Sequence, residues 1–192
     1  MTSDQQEQES DVLSGSSPVT RHPSPASPCV VFSHGLDGEP WGAKIVAMAP
    51  VAERHGLRVE SIDYRGMEPL ARVARLLDIA RALPQPLILV GSSLGAHVAT
   101  AVSTQVSALG LFLLAPAFYM RGYEEYTPRP PACPIEIIHG WNDEIVPVAN
   151  SIRYAQQYRA RLHLLDSDHR LTANINDICE LFDLFLRRVL PR

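Results

Sequence analysis

The sequence predicts an α/β domain: a three-layer α/β/α sandwich around a six-stranded parallel sheet. Three observations point there. Apolar runs of strand length recur six times after Cys29, and segments with helical spacing separate them. Four of the six runs are nearly continuous in apolar character, Arg58–Asp63 and Arg161–Leu165 being mixed, and continuous runs mark strands buried on both faces, as in parallel sheets. Repeated β–α alternation implies right-handed crossovers, with helices covering both faces of the sheet.

The elements follow in order. The strands are Cys29–Ser33, Arg58–Asp63, Leu87–Val90, Ala108–Leu114, Ile135–Ile138 and Arg161–Leu165. The last is mixed, with His163 inside it. Trp41–His55, Pro69–Leu83, Leu94–Val106, Pro147–Tyr158 and Asn174–Val189 carry helical spacing. In the final helix Ile175, Ile178, Leu181, Phe182, Phe185, Leu186 and Val189 form one apolar stripe. Ala117–Pro134 breaks the rhythm. It holds Tyr119, Tyr123, Tyr126 and Pro128-Arg129-Pro130-Pro131, too much proline for a helix through its second half. It follows the fourth strand and so lies at the carboxyl edge of the sheet, where ligands bind in open α/β folds.

Residues 1–28 differ from the rest, with seven serines, four prolines, four acids and no aromatic residue. Such a segment buries too little apolar area to offset the entropy of ordering it, so a disordered tail is expected there. A single domain is expected over 29–192, consistent with a chain of 192 residues that is 46% hydrophobic. The net charge of −4 gives no bulk positive field, which argues against nucleic-acid binding. The longest nearly apolar run, Ala108–Met120, contains a proline and is far short of the roughly 20 residues a bilayer span needs. Cys29, Cys133 and Cys179 are odd in number and lack metal-ligand spacing, so neither a disulfide framework nor a metal site is expected. With no basic start and no apolar signal region, a cytoplasmic location is the expectation.

Gly91-Ser92-Ser93-Leu94-Gly95 matches G-x-S-x-G between a strand and a helix. Small residues must flank so tight a turn, and only the central serine, Ser93, projects from it. A serine hydroxyl is a weak nucleophile and needs a base oriented by a carboxylate. Asp143 lies just past the fifth strand and His169 just past the sixth, on the same side of the sheet as Ser93. Asp63, Asp166 and Asp168 are rival carboxylates. Asp168 neighbours His169, and adjacent side chains on an extended backbone diverge, so it is the poorer partner. His34 and His139 sit in His-Gly turns and read as structural. His22, His55, His97 and His163 read as packing or surface residues, as does Lys44, the chain's only lysine.

With these motifs in order, the chain resembles a small α/β-hydrolase over residues 29–190. Phe32-Ser33-His34-Gly35-Leu36 resembles the family's oxyanion loop, Asp63-Tyr64-Arg65-Gly66 its D-x-R-G turn, and Gly91–Gly95 its nucleophile elbow. His139-Gly140-x-x-Asp143-x-x-Val146-Pro147 resembles its acid loop and Asp168-His169 its base loop. The resemblance implies an α/β-hydrolase core and a serine hydrolase acting on a carboxylic ester or thioester, with no cofactor. Ser93 would attack the carbonyl, His169 would carry its proton, and Asp143 would orient the imidazole. The N–H groups of Leu36 and Leu94 would form the oxyanion hole, each worth about 3–4 kcal/mol of barrier. A non-catalytic binding or signalling protein on the same fold is the alternative. The helical cap common in the family has no room here beyond Ala117–Pro134. A shallow pocket that takes a small acyl group is therefore expected, with Trp41, Phe118, Tyr119 and Trp141 as candidate walls.

Overall fold

In the computed structural model, which describes residues 28–191, six strands form one all-parallel sheet. The strands are β1 (Cys29–Ser33), β2 (Arg58–Ile62), β3 (Leu87–Ser92), β4 (Ala108–Leu114), β5 (Ile135–Gly140) and β6 (Arg161–Leu165). Their order across the sheet is β2-β1-β3-β4-β5-β6. Five α-helices connect them: α1 (Ala43–Arg54), α2 (Pro69–Ala82), α3 (Leu94–Ser103), α4 (Val148–Tyr158) and α5 (Ile175–Val189). The expected tail, 1–28, lies outside the described residues except for Pro28. No helix among the described residues is long and apolar enough to cross a membrane.

The continuous apolar runs are divided residue by residue between two cores. Val30, Phe32, Ile88, Val90, Phe112 and Leu114 face α1 and α5. Cys29, Val31, Leu87, Leu89, Leu111 and Leu113 face α2, α3 and α4. A period of two with both faces covered leaves no polar position to interrupt the run. The stripe read in the last helix buries Ile178, Phe182, Phe185, Leu186 and Val189. Phe182 and Phe185 both pack on Phe112, with ring centroids 5.0 and 5.4 Å apart.

The strand order positions the site. From β1 the chain runs outward to β2, then crosses back to place β3 on the other side of β1. The loops after β1 and β3 therefore leave in opposite directions and open a crevice at the carboxyl edge of the sheet. The expected oxyanion loop follows β1 and the expected elbow follows β3. Close approach there needs glycine at position 95. A Cβ on Gly95 would meet the Ser33 carbonyl oxygen and lie 2.6 Å from that of His34.

Candidate active site

Ser93 is the single residue between the end of β3 and the start of α3. Its backbone sits at φ 53°, ψ −119°, a region that L-residues avoid unless the surroundings impose it. The surroundings do so by hydrogen bonds. Ser93 N–H donates to the Leu114 carbonyl (2.8 Å), and the Ser93 carbonyl accepts from Ala117 (3.1 Å) and Ala96 (3.0 Å). This turn brings Ser93 to the crevice wall at the N-terminus of α3.

The acid and base loops are laced together. Trp141 N–H donates to the Leu165 carbonyl (2.8 Å), and Asn142 N–H to that of Ser167 (3.0 Å). The Asn142 side-chain amide donates to Asp166 (2.8 Å). Gly140 permits the approach, since a Cβ there would lie 2.6 Å from the Asp168 carbonyl oxygen. As a result His169 Nδ1 donates to Asp143 Oδ2 at 2.7 Å, with the carboxylate fully buried. Asp143 Oδ1 accepts from the N–H groups of Ile145 (2.9 Å) and Val146 (2.8 Å). Burial pushes the Asp143 carboxyl up, but those N–H groups and His169 outweigh it and hold it below the ordinary carboxylate value. Asp168 serves its own turn instead, accepting from the N–H groups of Arg170 (2.9 Å) and Leu171 (3.1 Å). His169 and Ser93 line the same cleft, with no hydrogen bond between their side chains.

A second imidazole touches the same carboxylate. His139 Nε2 lies 2.9 Å from Asp143 Oδ2 and 3.0 Å from the Val146 carbonyl oxygen, with both side chains fully buried. A carbonyl only accepts, so Nε2 carries the proton, and Nδ1 accepts from the Ser151 hydroxyl (2.7 Å). Burial lowers the His139 pKa and keeps the ring neutral. The structural reading of His139 from its His-Gly turn thus gains a definite object, the Asp143 carboxylate.

The loop after β1 is held by a residue the sequence did not single out. Arg72, on α2, is 1% exposed. It donates to the carbonyls of Gly35 (3.1 Å), Leu36 (3.1 Å) and Met67 (2.9 Å). With those carbonyls drawn toward α2, the N–H of Leu36 is left free of any hydrogen bond among the described residues, as is that of Leu94. Both residues line the cleft together with Ser93. His34 fixes the same loop, donating from Nδ1 to the Gly35 carbonyl (2.8 Å) and accepting at Nε2 from Tyr64 N–H (3.0 Å).

The cleft itself departs from expectation. It is an open cleft of about 1410 Å³, above the roughly 300–1,000 Å³ usual for small-molecule sites. None of Trp41, Phe118, Tyr119 and Trp141 lines it. Trp41 and Trp141 lie more than half exposed outside it. Phe118 is fully buried, stacked on Tyr154 with centroids 4.1 Å apart. The Tyr119 ring turns onto α4, where its hydroxyl donates to Gln157 (2.8 Å) and Arg153 covers its face. The lining instead includes Leu36, Leu70, Met120, Tyr123 and Tyr126. The proline-rich segment thus contributes Met120, Tyr123 and Tyr126 to the lining, a wall its brevity had argued against. His97 and Lys44 also line the cleft, whereas both had read as packing or surface residues. His55 pairs with Asp183 (2.7 Å) and His163 with Glu136 (2.9 Å), both outside the cleft. Among the described residues no group of three or more His, Cys, Asp or Glu side chains is arranged to hold a metal ion.

The comparisons with known proteins agree with this architecture. The sequence model of the alpha/beta hydrolase family matches residues 30–191. A Xanthomonas campestris pv. campestris protein assigned to the hydrolases of the alpha/beta superfamily is 36% identical. Its alignment covers 84% of this chain and 98% of that one, with a TM-score of 0.77. Est1E from Butyrivibrio proteoclasticus has a TM-score of 0.76 at 18% identity, covering 87% of this chain and 90% of its own. Mouse alpha/beta hydrolase domain-containing protein 10 has a TM-score of 0.65 at 23% identity, covering 85% and 92%. No curated protein sequence matches the chain. A family match over most of the chain, on a six-stranded parallel sheet with a strained serine at the β3–α3 turn, settles the class. The chain belongs to the alpha/beta hydrolase family.

Proposed function

We propose that the protein is a serine hydrolase that cleaves a carboxylic ester or thioester through an acyl-enzyme. The observation that carries this reading is the buried Asp143–His169 pair, 2.7 Å apart, opening onto the same cleft as Ser93 at its strained turn. Ser93 Oγ forms a bond to the substrate carbonyl carbon as its proton passes to His169 Nε2. The N–H groups of Leu36 and Leu94 stabilise the oxyanion. His169 then returns the proton to the departing alkoxide or thiolate as the carbon–oxygen or carbon–sulfur bond breaks. Water repeats the sequence, releasing the acid and restoring Ser93. Asp143 holds the imidazole by Nδ1 throughout, leaving Nε2 to face the cleft. Asp143 stays ionised because four N–H groups address its two oxygens.

The cleft also bears on the acyl group. A small acyl group was expected from a missing wall, but Met120, Tyr123 and Tyr126 supply one. Each buried methylene contributes about 0.8 kcal/mol, roughly fourfold in rate when it is realised in the transition state. The expected result with p-nitrophenyl esters from C2 to C12 is kcat/KM rising through at least C6. A maximum at C2 or C3 would restore the shallow-pocket reading.

A further inference from the structure

Lys44 is the chain's only lysine. It projects from the first turn of α1 and lines the cleft together with Ser93 and His169. Its Nζ donates to the Arg170 carbonyl at 2.8 Å, which places the ammonium one residue from the proposed base. No carboxylate lies within ion-pair distance of it among the described residues. The two carboxylates that act on it from farther away are both engaged. Asp168 accepts from its own turn, and Asp143 is held by His169. Of the other cations lining the cleft, Arg65 is tied to Asp63 at 2.7 Å, and Arg170 is exposed. The cleft lining includes apolar Phe32, Ile45 and Met48, and also the carboxylates Asp37, Glu39 and Glu68, none of which lies within ion-pair distance of Lys44.

An ammonium has three donors and a full charge, and here one carbonyl answers one donor. Partly desolvated charges in proteins are normally paired, because removing them from water is costly. Burial with no adjacent counter-charge lowers the Lys44 pKa to about 8. An anionic group on a bound substrate could pair with this ammonium from within the cleft.

We infer that Lys44 is a specificity residue, and that the substrate is an ester or thioester with an apolar body bearing a carboxylate or similar anion that pairs with the Lys44 ammonium. This rests on the serine-hydrolase reading above. The anion can sit on the acyl or on the leaving group, and two arms of one experiment separate these. The acyl arm compares the p-nitrophenyl hemiesters of adipic and suberic acids with their methyl-capped diesters. The leaving-group arm compares 4-(carboxymethyl)phenyl butyrate with its methyl ester. In one arm kcat/KM for the anionic substrate is expected to exceed the capped one by at least about tenfold. Lys44→Met should bring that ratio near one, and Lys44→Arg should preserve most of it. Reading a ratio removes any general effect of moving the base loop.

The same comparison without turnover keeps the inference separate from the proposed function. Monomethyl adipate and dimethyl adipate are titrated calorimetrically into Ser93→Ala and into Ser93→Ala/Lys44→Met, both checked for folding by circular dichroism. Tighter binding of the monoanion that disappears with Lys44 supports the anion site even if no ester is turned over. Equal rates in both arms with equal binding, or a preference that survives in Lys44→Met, overturns it.

Discussion

Replacing Ser93 by alanine is expected to lower kcat for a p-nitrophenyl ester by at least about 10³-fold while the protein stays folded. The loss is large because, in the proposed mechanism, Ser93 forms the covalent bond, and Ser92, the other hydroxyl of the elbow, ends β3 instead of standing at the turn. The fold survives because the side chain makes no structural hydrogen bond, while the backbone N–H and carbonyl that pin the turn are unchanged. Alanine also keeps the Cβ already present in the strained φ 53° conformation. Ser92→Ala is the matched control. Ser92 ends β3 rather than occupying the turn, so that variant should keep most of the activity. Steady-state kinetics with circular dichroism separate the cases. Equal loss in both variants, or full activity in Ser93→Ala, removes Ser93 as the nucleophile.

Gly95→Ala is expected to destabilise the protein by about 3 kcal/mol or more, a fall of roughly 6–12 °C in Tm for a domain of this size. Two effects oppose each other there. Gly95 is the second residue of α3, and helix propensity alone would favour alanine by up to about 1 kcal/mol. The new Cβ, however, would meet the carbonyl oxygens of Ser33 and His34, both backbone atoms. A flexible side chain could move aside, but β1 and the loop after it cannot do so without breaking the register of β1 on β3. The steric cost therefore wins. The shift falls on the loop that carries Leu36, so activity should drop in the fraction that still folds. Gly56→Ala gives the contrast, with φ +72° and nothing within 4 Å of the added Cβ. It should cost only about 1–2 kcal/mol of left-handed strain. A Gly95→Ala protein as stable as the parent would contradict the close approach at the switch point.

Much of this was legible in the sequence because the governing signals are local. Strands buried on both faces, such as β1, β3 and β4, leave continuous apolar runs, while the edge strands β2 and β6 are mixed; all six were nonetheless placed, three of them with the bounds found in the structure. The two strands that run longest past their expected ends do so through the expected elbow and acid loop. β3 continues through Gly91 and Ser92, and β5 through His139 and Gly140. Hydropathy marks these as turn-like, yet the sheet pairs them with Leu113, Leu114, Leu164 and Leu165. The Asp143–His169 pairing was legible because each residue directly follows a strand in a parallel sheet, which puts both at one edge.

The cleft walls were not legible. Which side of a loop faces a cavity depends on neighbours distant in sequence. Phe118 and Tyr119 turned onto Tyr154 and Gln157 of α4, while Tyr123 and Tyr126, farther along the same segment, reached the opening. Arg72 and Lys44 stand on helices where a charged residue ordinarily reads as solvent-facing. Their partners are backbone carbonyls of distant loops, and carbonyls have no sequence signature.

The central claim, that Ser93 is a nucleophile activated by His169, is met most directly by labelling the folded protein with a fluorophosphonate and mapping the adduct by mass spectrometry. The reagent phosphonylates activated serines without requiring a known substrate. The account predicts a single stoichiometric adduct on Ser93, absent in Ser93→Ala and strongly slowed in His169→Ala. A folded protein that takes no label, or one labelled equally in Ser93→Ala, would contradict it and leave a non-catalytic member of the fold as the better description.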